Sequence, residues 1–234
     1  MLNRIITLDE VDSTNNYLKL NRGELPDGTL VTARIQTAGK GRRGHEWLAD
    51  QGMLPLSLLL KQPPHPDTLT LCAGVAVCEA LEPLLPGEEL GIKWPNDIIL
   101  HGHKLCGILC ESVCFGSSMD IVCGIGVNLA QTAEFFEKAN IPHGGSVEML
   151  TGVTINDRDK LAEDIAERLY SYSRSGFESV REKYVKRCLT VGKKIRIIEN
   201  GSEREAFAEG IAPNGFLVCS CLLYTSDAAD ERSS

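Results

Sequence analysis

The stretch GKGRRGHEW at 39–47 decides between two very different folds. Gly39, Gly41 and Gly44 match the G-x-G-x-x-G spacing of dinucleotide-binding proteins, and the preceding TLVTARI is a predicted strand. That fingerprint also requires a helix opening among the glycines and an acidic residue about twenty positions later. Here HEWLADQG follows, without a helical apolar period, and the later run LLLKQPPHP contains no acid. We therefore exclude a doubly wound dinucleotide fold and interpret the stretch, the glycine loop, as a cationic segment that closes over a polyanion.

The order of the remaining elements predicts an α+β fold built on one mixed or antiparallel sheet. Strands are predicted at 4–8, 29–35 and 53–60, and then in GIKW, DIILHGHKLCGILCE and MDIVCGIGVNL. A buried helix is predicted to begin near Asp67, because apolar residues recur at helical spacing from Leu71 to Leu81. Two amphipathic helices follow, in DRDKLAEDIAERLYSYS and FESVREKYVKRC.

After Cys188 the pattern changes to short strands, KKIRIIE, REAFAEGIA and GFLVCS. The dipeptides Asn200-Gly201 and Asn214-Gly215 separate them and are typical of turns. This predicts a small β module that is distinct from the preceding domain.

Charge and cysteine content exclude several classes of protein. A net charge of -8 disfavours binding to nucleic acid through general electrostatics. The N-terminus lacks the layout of a signal peptide and no long apolar run is present, so we predict a cytoplasmic protein. The cysteines form no C-x-x-C pair, and Cys106, Cys110 and Cys114 are interpreted as small buried hydrophobes in preference to a zinc site.

Four stretches in order carry a family resemblance: DSTNNYL at 12–18, the glycine loop, KWPNDIIL at 93–100 with KLCGIL at 104–109, and GIGVNL at 124–129. Together they resemble the catalytic domain of biotin protein ligases, in the monofunctional type without an N-terminal DNA-binding domain. The resemblance implies a class II synthetase-like mixed sheet with flanking helices and a truncated SH3-like barrel. It divides the chain into a catalytic domain at 1–187, a partial barrel at 188–221 and a tail at 222–234 that is not native sequence.

The activity that the resemblance implies has two steps. Biotin and ATP form biotinyl-5'-AMP and pyrophosphate, with Mg²⁺ accompanying ATP, and biotin then passes to a lysine of a biotin carboxyl carrier protein. The carrier would belong to acetyl-CoA carboxylase or to another biotin-dependent carboxylase. We expect neither nucleic acid nor membrane as a partner, and a homodimer is left open.

The same resemblance assigns roles to individual residues. Lys93 and Arg42 would stabilise the charge at the reacting centre. Biotin would be held by Ser13, Thr14, Asn15, Gln36, Lys40, Gly41, Arg42, Lys93 and Gly107. ATP would be held by Lys40, Arg42, Trp47 and Asn128, with Trp47 stacking on adenine, and Asp97 and Asn128 are the candidates for Mg²⁺. Gly107 and Gly126 would leave room for the ligand where strands pass it.

Three of these residues also have ordinary structural interpretations. Ser13 is also a suitable helix cap, Trp47 a suitable core residue and Lys93 a suitable solvated lysine at a strand end. Two other functions also remain open. The first is a lipoate or octanoate ligase or transferase of the same fold, whose pocket would not need Ser13, Thr14, Asn15 and Gln36. The second is a non-catalytic biotin-binding protein.

Overall fold

The computed structural model describes residues 2–44, 46–48, 50–116, 118–199 and 202–221. The predicted turn at Asn200-Gly201 and the predicted non-native tail at 222–234 lie outside these residues. Over the described ranges the fold is α+β, as predicted, with a seven-stranded sheet and a separate three-stranded sheet.

The large sheet is mixed. Its strands are β1 (Arg4–Val11), β2 (Thr29–Gln36), β3 (Met53–Leu60), β4 (Gly91–Lys93), β5 (Asp97–Leu100), β6 (His103–Phe115) and β7 (Ser118–Asn128). Their order across the sheet is β1-β2-β3-β7-β6-β5-β4. β1 and β2 pair in parallel, and every other pairing in this sheet is antiparallel. All eight residues of β3 are buried, which explains why its sequence is almost continuously apolar.

The helices cover the sheet on both faces. They are α1 (Thr14–Asn21), α2 (Leu69–Leu81), α3 (Ala133–Lys138), α4 (Val147–Thr151), α5 (Arg158–Ser175) and α6 (Arg181–Arg187). α2 packs between the sheet and α5 and is buried on nearly all sides, so it is apolar around its whole circumference. The short helices α3 and α4 were not predicted, since six and five residues hold too little apolar period to be recognised. No helix in the described ranges is long and apolar enough to cross a membrane.

The C-terminal strands β8 (Lys194–Glu199), β9 (Ser202–Ile211) and β10 (Leu217–Cys221) form an antiparallel sheet in the order β10-β9-β8. These are the three strands predicted for the small module. α6 ends at Arg187, and the next residue, Cys188, forms a parallel bridge to Ile92 of β4. The division of the chain at 187 and 188 stays a prediction.

Candidate active site

Helix α1 opens over the sheet at Ser13, which is the cap predicted from the sequence. Ser13 has extended backbone dihedrals, and its hydroxyl accepts from the backbone N–H of Asn16. The next residue, Thr14, donates to Gln36 Oε1 through both its backbone N–H, at 3.0 Å, and its hydroxyl, at 3.2 Å. The capped end of α1 is thereby tied to the end of β2, and Ser13, Thr14 and Asn15 are all buried.

Ser57 of β3 completes this polar group and was not predicted. Its Oγ lies 2.6 Å from Asn15 Oδ1 and 2.7 Å from Thr14 Oγ1, and the residue is fully buried. The signal in the sequence was a single hydroxyl inside the apolar strand MLPLSLLL. Buried polar groups are normally paired, so a serine there indicates polar neighbours on the facing element.

Glu111 on β6 holds the other side of Asn15 and was also missed. Asn15 Nδ2 donates to Glu111 Oε2 at 2.8 Å, and Lys19 Nζ lies 2.8 Å from Glu111 Oε1. Partial burial disfavours the charged form of Glu111, but the hydrogen bonds from Lys19 and Asn15 outweigh it and lower the pKa of this carboxyl below its ordinary value. A carboxylate therefore fixes the orientation of the Asn15 amide, with its oxygen toward Ser57.

Glycines form the floor of the site. One row of paired residues runs across the strands β3, β7, β6, β5 and β4. This register row consists of Pro55, Gly126, Gly107, Asp97 and Lys93. Paired residues in a sheet project to the same face, so this whole row faces the same side.

Trp47 from the glycine loop lies on this floor. A methyl group at Gly107 would come within 2.6 Å of Trp47 Cζ3, and one at Gly126 within 2.5 Å of Trp47 Nε1. The expected room beside these two glycines is present, but the Trp47 ring occupies it in this structure.

Cationic side chains reach the site from two sides, Lys40 beside the first turn of α1 and Arg42 beside the segment that follows β4. Lys40 Nζ donates to Asn16 Oδ1 at 3.0 Å, and Arg42 Nη1 donates to Asn96 Oδ1 at 2.9 Å. Lys104 was quoted in the KLCGIL motif but given no role. Its ammonium group lies 2.7 Å from Asp97 Oδ1 and 5.1 Å from the centre of the Trp47 ring.

These groups enclose one cavity of about 490 Å³, measured with its open mouth. Its lining includes Ser13, Thr14, Asn15, Gln36, Lys40, Gly41, Arg42, Trp47, Asn96, Lys104 and Gly107. The cavity thus combines paired donors and acceptors near α1 with three ammonium or guanidinium groups in its lining, which suits a ligand with a neutral polar head and an anionic tail.

A family profile decides the assignment. The profile of the Biotin/lipoate A/B protein ligase family matches residues 8–128, which include every strand that lines the cavity. The chain belongs to this family. A biotin--[acetyl-CoA-carboxylase] ligase of Paracoccus denitrificans is 35% identical over 224 residues, covering 90% of this chain and 92% of the relative. The bifunctional ligase/repressor BirA of Escherichia coli is 30% identical, covering 92% of this chain and 68% of the relative.

Solved structures of the family agree in fold. A biotin protein ligase from Aquifex aeolicus in complex with biotin and ATP is 28% identical, with a TM-score of 0.77 over 93% of this chain and 92% of that one. A biotin protein ligase from Leishmania major in complex with biotinyl-5-AMP is 25% identical, with a TM-score of 0.66 over 94% and 96% of the two chains.

Lys93 is one of three predicted site residues, with Asp97 and Asn128, that do not line the cavity. It is exposed at the end of β4 and does not line the cavity, although Asn96 and Lys104 do. Its position in the register row nevertheless points it to the face that carries Gly107 and Gly126. Lys93 therefore lies at the rim of the cavity, on the face of the sheet that carries Gly107 and Gly126. Its catalytic role stays a prediction.

Asn128 does not fit as a ligand for Mg²⁺ in this arrangement. It is 5% exposed, its Nδ2 donates to the carbonyls of Lys104 and Gly145, and its Oδ1 accepts from Gln131. Asp97 fits only in part, because its carboxylate is already the counter-ion of Lys104. Within the described ranges no three His, Cys, Asp or Glu residues are grouped to hold a metal.

The cysteines on β6 follow the predicted interpretation only in part. Cys106 is buried and Cys110 half-buried, but Cys114 is exposed, so the last one is not a core residue. Elsewhere, burial raises the pKa of the Cys72 and Cys78 thiols to about 12, which leaves them neutral and unreactive.

Proposed function

We propose that this chain is a biotin protein ligase that activates biotin with ATP and transfers it to a lysine of a biotin carboxyl carrier protein. The observation that carries the proposal is the polarity of the cavity. Four neutral polar residues, Ser13, Thr14, Asn15 and Gln36, line it near α1 with Ser57 buried behind them, and Lys40, Arg42 and Lys104 add three cations to the lining. Biotin has the matching layout, with a ureido ring at one end and a carboxylate at the other.

The ureido ring needs both an acceptor and donors, because it presents one carbonyl and two N–H groups. Gln36 Oε1 and Asn15 Oδ1 would supply acceptors, and the hydroxyls of Ser13 and Thr14 would supply donors on the cavity wall. Lipoate lacks this ring, so a lipoyl ligase would bury these groups with no function for them. We therefore place lipoate and octanoate transfer second, together with a non-catalytic biotin-binding protein.

In the first step a biotin carboxylate oxygen bonds to the α-phosphorus of ATP and the bond to pyrophosphate breaks. Two anions must approach, so the cationic side chains lower the barrier by offsetting their repulsion. Lys40 and Arg42 bring this charge on the glycine loop, and Lys93 brings it from the rim of the sheet. In the second step the neutral amine of the acceptor lysine bonds to the acyl carbon, and AMP leaves.

The proposal also covers the metal ion, the acceptor protein, the cellular compartment and other partners. Mg²⁺ would enter with ATP, chiefly on the phosphate oxygens, since this ion commonly binds through substrate phosphates. The acceptor would be a carboxylase subunit, and the enzyme would act in the cytoplasm. We expect no binding to nucleic acid, and a homodimer stays an open prediction.

The test is exchange of labelled pyrophosphate into ATP by the purified chain. Exchange that requires biotin, and that lipoate and octanoate do not support, is the expected result. Exchange with lipoate alone would assign the second candidate. Tight biotin binding without any exchange would instead assign the non-catalytic alternative.

A further inference from the structure

The segment that joins α6 to the C-terminal sheet runs along β4, beside Lys93. Leu189 N donates to Ile92 O at 2.8 Å, and Trp94 N donates to Thr190 Oγ1 at 3.0 Å. Lys93 lies between Ile92 and Trp94. On this edge of β4 the backbone on each side of the lysine is therefore held by the connection to the C-terminal sheet, whereas the other edge of β4 pairs with β5.

A second contact reaches the same place from the loop between β9 and β10. The indole N–H of Trp94 donates to the carbonyl of Gly215 at 3.1 Å. Gly215 has φ +80, and a methyl group there would lie 3.1 Å from Leu71 Cδ2 of α2, so the loop rests on α2 as well as on Trp94. Arg181 fixes the end of β9 through two hydrogen bonds to Ile211 O, at 3.2 and 2.8 Å.

Trp94 is also connected to the cavity, through Asn96. Two residues later, Asn96 donates through Nδ2 to Ile108 O at 3.2 Å and accepts from Arg42 Nη1 at 2.9 Å. The segment 93–96 thus carries Lys93 at one end and the partner of Arg42 at the other, with Trp94 between them. A displacement of Trp94 would move both groups relative to the glycine floor.

We infer that Trp94 is a positioning residue through which the C-terminal sheet holds Lys93 and Asn96 in register with the reacting centre. The inference rests on the proposed function, because it takes the adenylation step as the process that these groups serve. It gives the C-terminal sheet a role in the first chemical step, separate from any contact with an acceptor protein.

The inference makes a specific prediction, because the polar residues near α1 lie on other elements than Trp94. Ser13, Asn15, Gln36 and Ser57 come from α1, β2 and β3, whereas Trp94 follows β4 at the opposite edge of the sheet. Loss of the Trp94 contacts should therefore leave biotin affinity unchanged and lower kcat for adenylation. A general loss of folding would weaken both.

The experiment compares Trp94→Phe, which keeps an aromatic ring without the N–H, with Thr190→Val, which removes the acceptor hydroxyl while keeping the shape. Thr190→Ser restores the hydroxyl and serves as the rescue. Tyr170→Phe is the matched control, since it removes a ring-borne donor, to Asp27 at 2.8 Å, away from β4. Biotin Kd is measured by calorimetry, kcat by biotin-dependent pyrophosphate exchange, and amide protection over 92–96 by hydrogen exchange.

We expect kcat to fall roughly three- to tenfold in Trp94→Phe and Thr190→Val, as loss of one hydrogen bond allows, with faster amide exchange over 92–96 and unchanged biotin Kd. Thr190→Ser and Tyr170→Phe should match the wild type. Unchanged kcat in both test variants, or a loss confined to transfer onto the acceptor, would overturn the inference. A wild type without exchange activity would instead refute the proposed function, and the amide protection would still show whether Trp94 holds the segment.

Discussion

Arg42 of the glycine loop donates to Asn96 Oδ1 at 2.9 Å and so joins two stretches that lie 54 residues apart in the sequence. The loop enters from β2, and Asn96 follows β4 at the far edge of the sheet. Both residues line the cavity, so this bond joins two parts of its wall. Closure of the loop and the position of the segment 93–96 are thereby linked.

The first prediction concerns Arg42→Gly, which removes this bridge. We expect the variant to form biotinyl-5'-AMP but to release it early, because a charge-assisted contact of this kind contributes about 1.5–3 kcal/mol, or roughly ten- to a hundredfold in residence time. With biotin, ATP and albumin present, the variant should label albumin lysines that the wild type leaves unmodified.

Asn96→Ala provides the comparison for this measurement, since it removes the bridge but keeps the guanidinium. It should leak less than Arg42→Gly. If Arg42→Gly made no adenylate at all, or labelled albumin no more than the wild type, the retention role would have to be assigned elsewhere.

A second prediction tests Lys93 at the rim. Lys93→Ala should reduce biotin-dependent pyrophosphate exchange by a factor of about one hundred or more, since one preorganised charge contact is worth on the order of 3 kcal/mol in a transition state. Lys160→Ala is the control, because Lys160 is an exposed lysine paired with Asp164 on α5, remote from the cavity. Wild-type exchange in a folded Lys93→Ala protein would remove the assignment.

The third prediction uses the contact between Gly107 and Trp47. Gly107→Ala places a methyl group where Trp47 now lies, so the indole must leave the floor or tilt away from it. We expect altered tryptophan fluorescence in the free protein and a KM for ATP raised several-fold, with biotin affinity changed less. Gly210→Ala is the control, because nothing lies within 4 Å of a methyl group at that glycine. Fluorescence and KM that are both unchanged would show that Trp47 does not depend on the floor.

A fourth prediction follows from the lowered pKa of Glu111. A carboxyl whose pKa is lower in the folded state than in the unfolded state stabilises the fold at pH values above its unfolded pKa, near 4.5. This stabilisation is lost as the pH falls through the lower pKa of the folded state. Glu111→Gln should therefore be less stable than the wild type at pH 7, and the difference should shrink progressively below pH 4.5. Urea denaturation at several pH values measures it. The exposed Glu203, paired with Arg196, gives the control substitution Glu203→Gln, and an equal pH dependence in the two variants would contradict the prediction.

Local sequence patterns were sufficient to predict the secondary structure and the chemical character of the site. Apolar period and turn residues were enough for the strands of both sheets, for α2 and for α5, because those patterns reflect which side chains each element buries. The four ordered stretches were enough to indicate the family, since they place Ser13, Arg42 and Lys93 in one recognisable order.

Which of these groups lie together depends on the tertiary structure. Ser57 and Glu111 are ordinary residues in their strands, and they became part of the site because β3 and β6 pass beneath the Asn15 side chain. Trp47 lies on Gly107 and Gly126 because β6 and β7, both distant from Trp47 in sequence, carry glycine in the same register row. Lys93 stands at the rim because residues 188–190 are bonded along β4, the last strand of the sheet. Periodicity records the environment of each element separately, whereas strand order and register arise from contacts between distant elements, and these contacts set the geometry of the site.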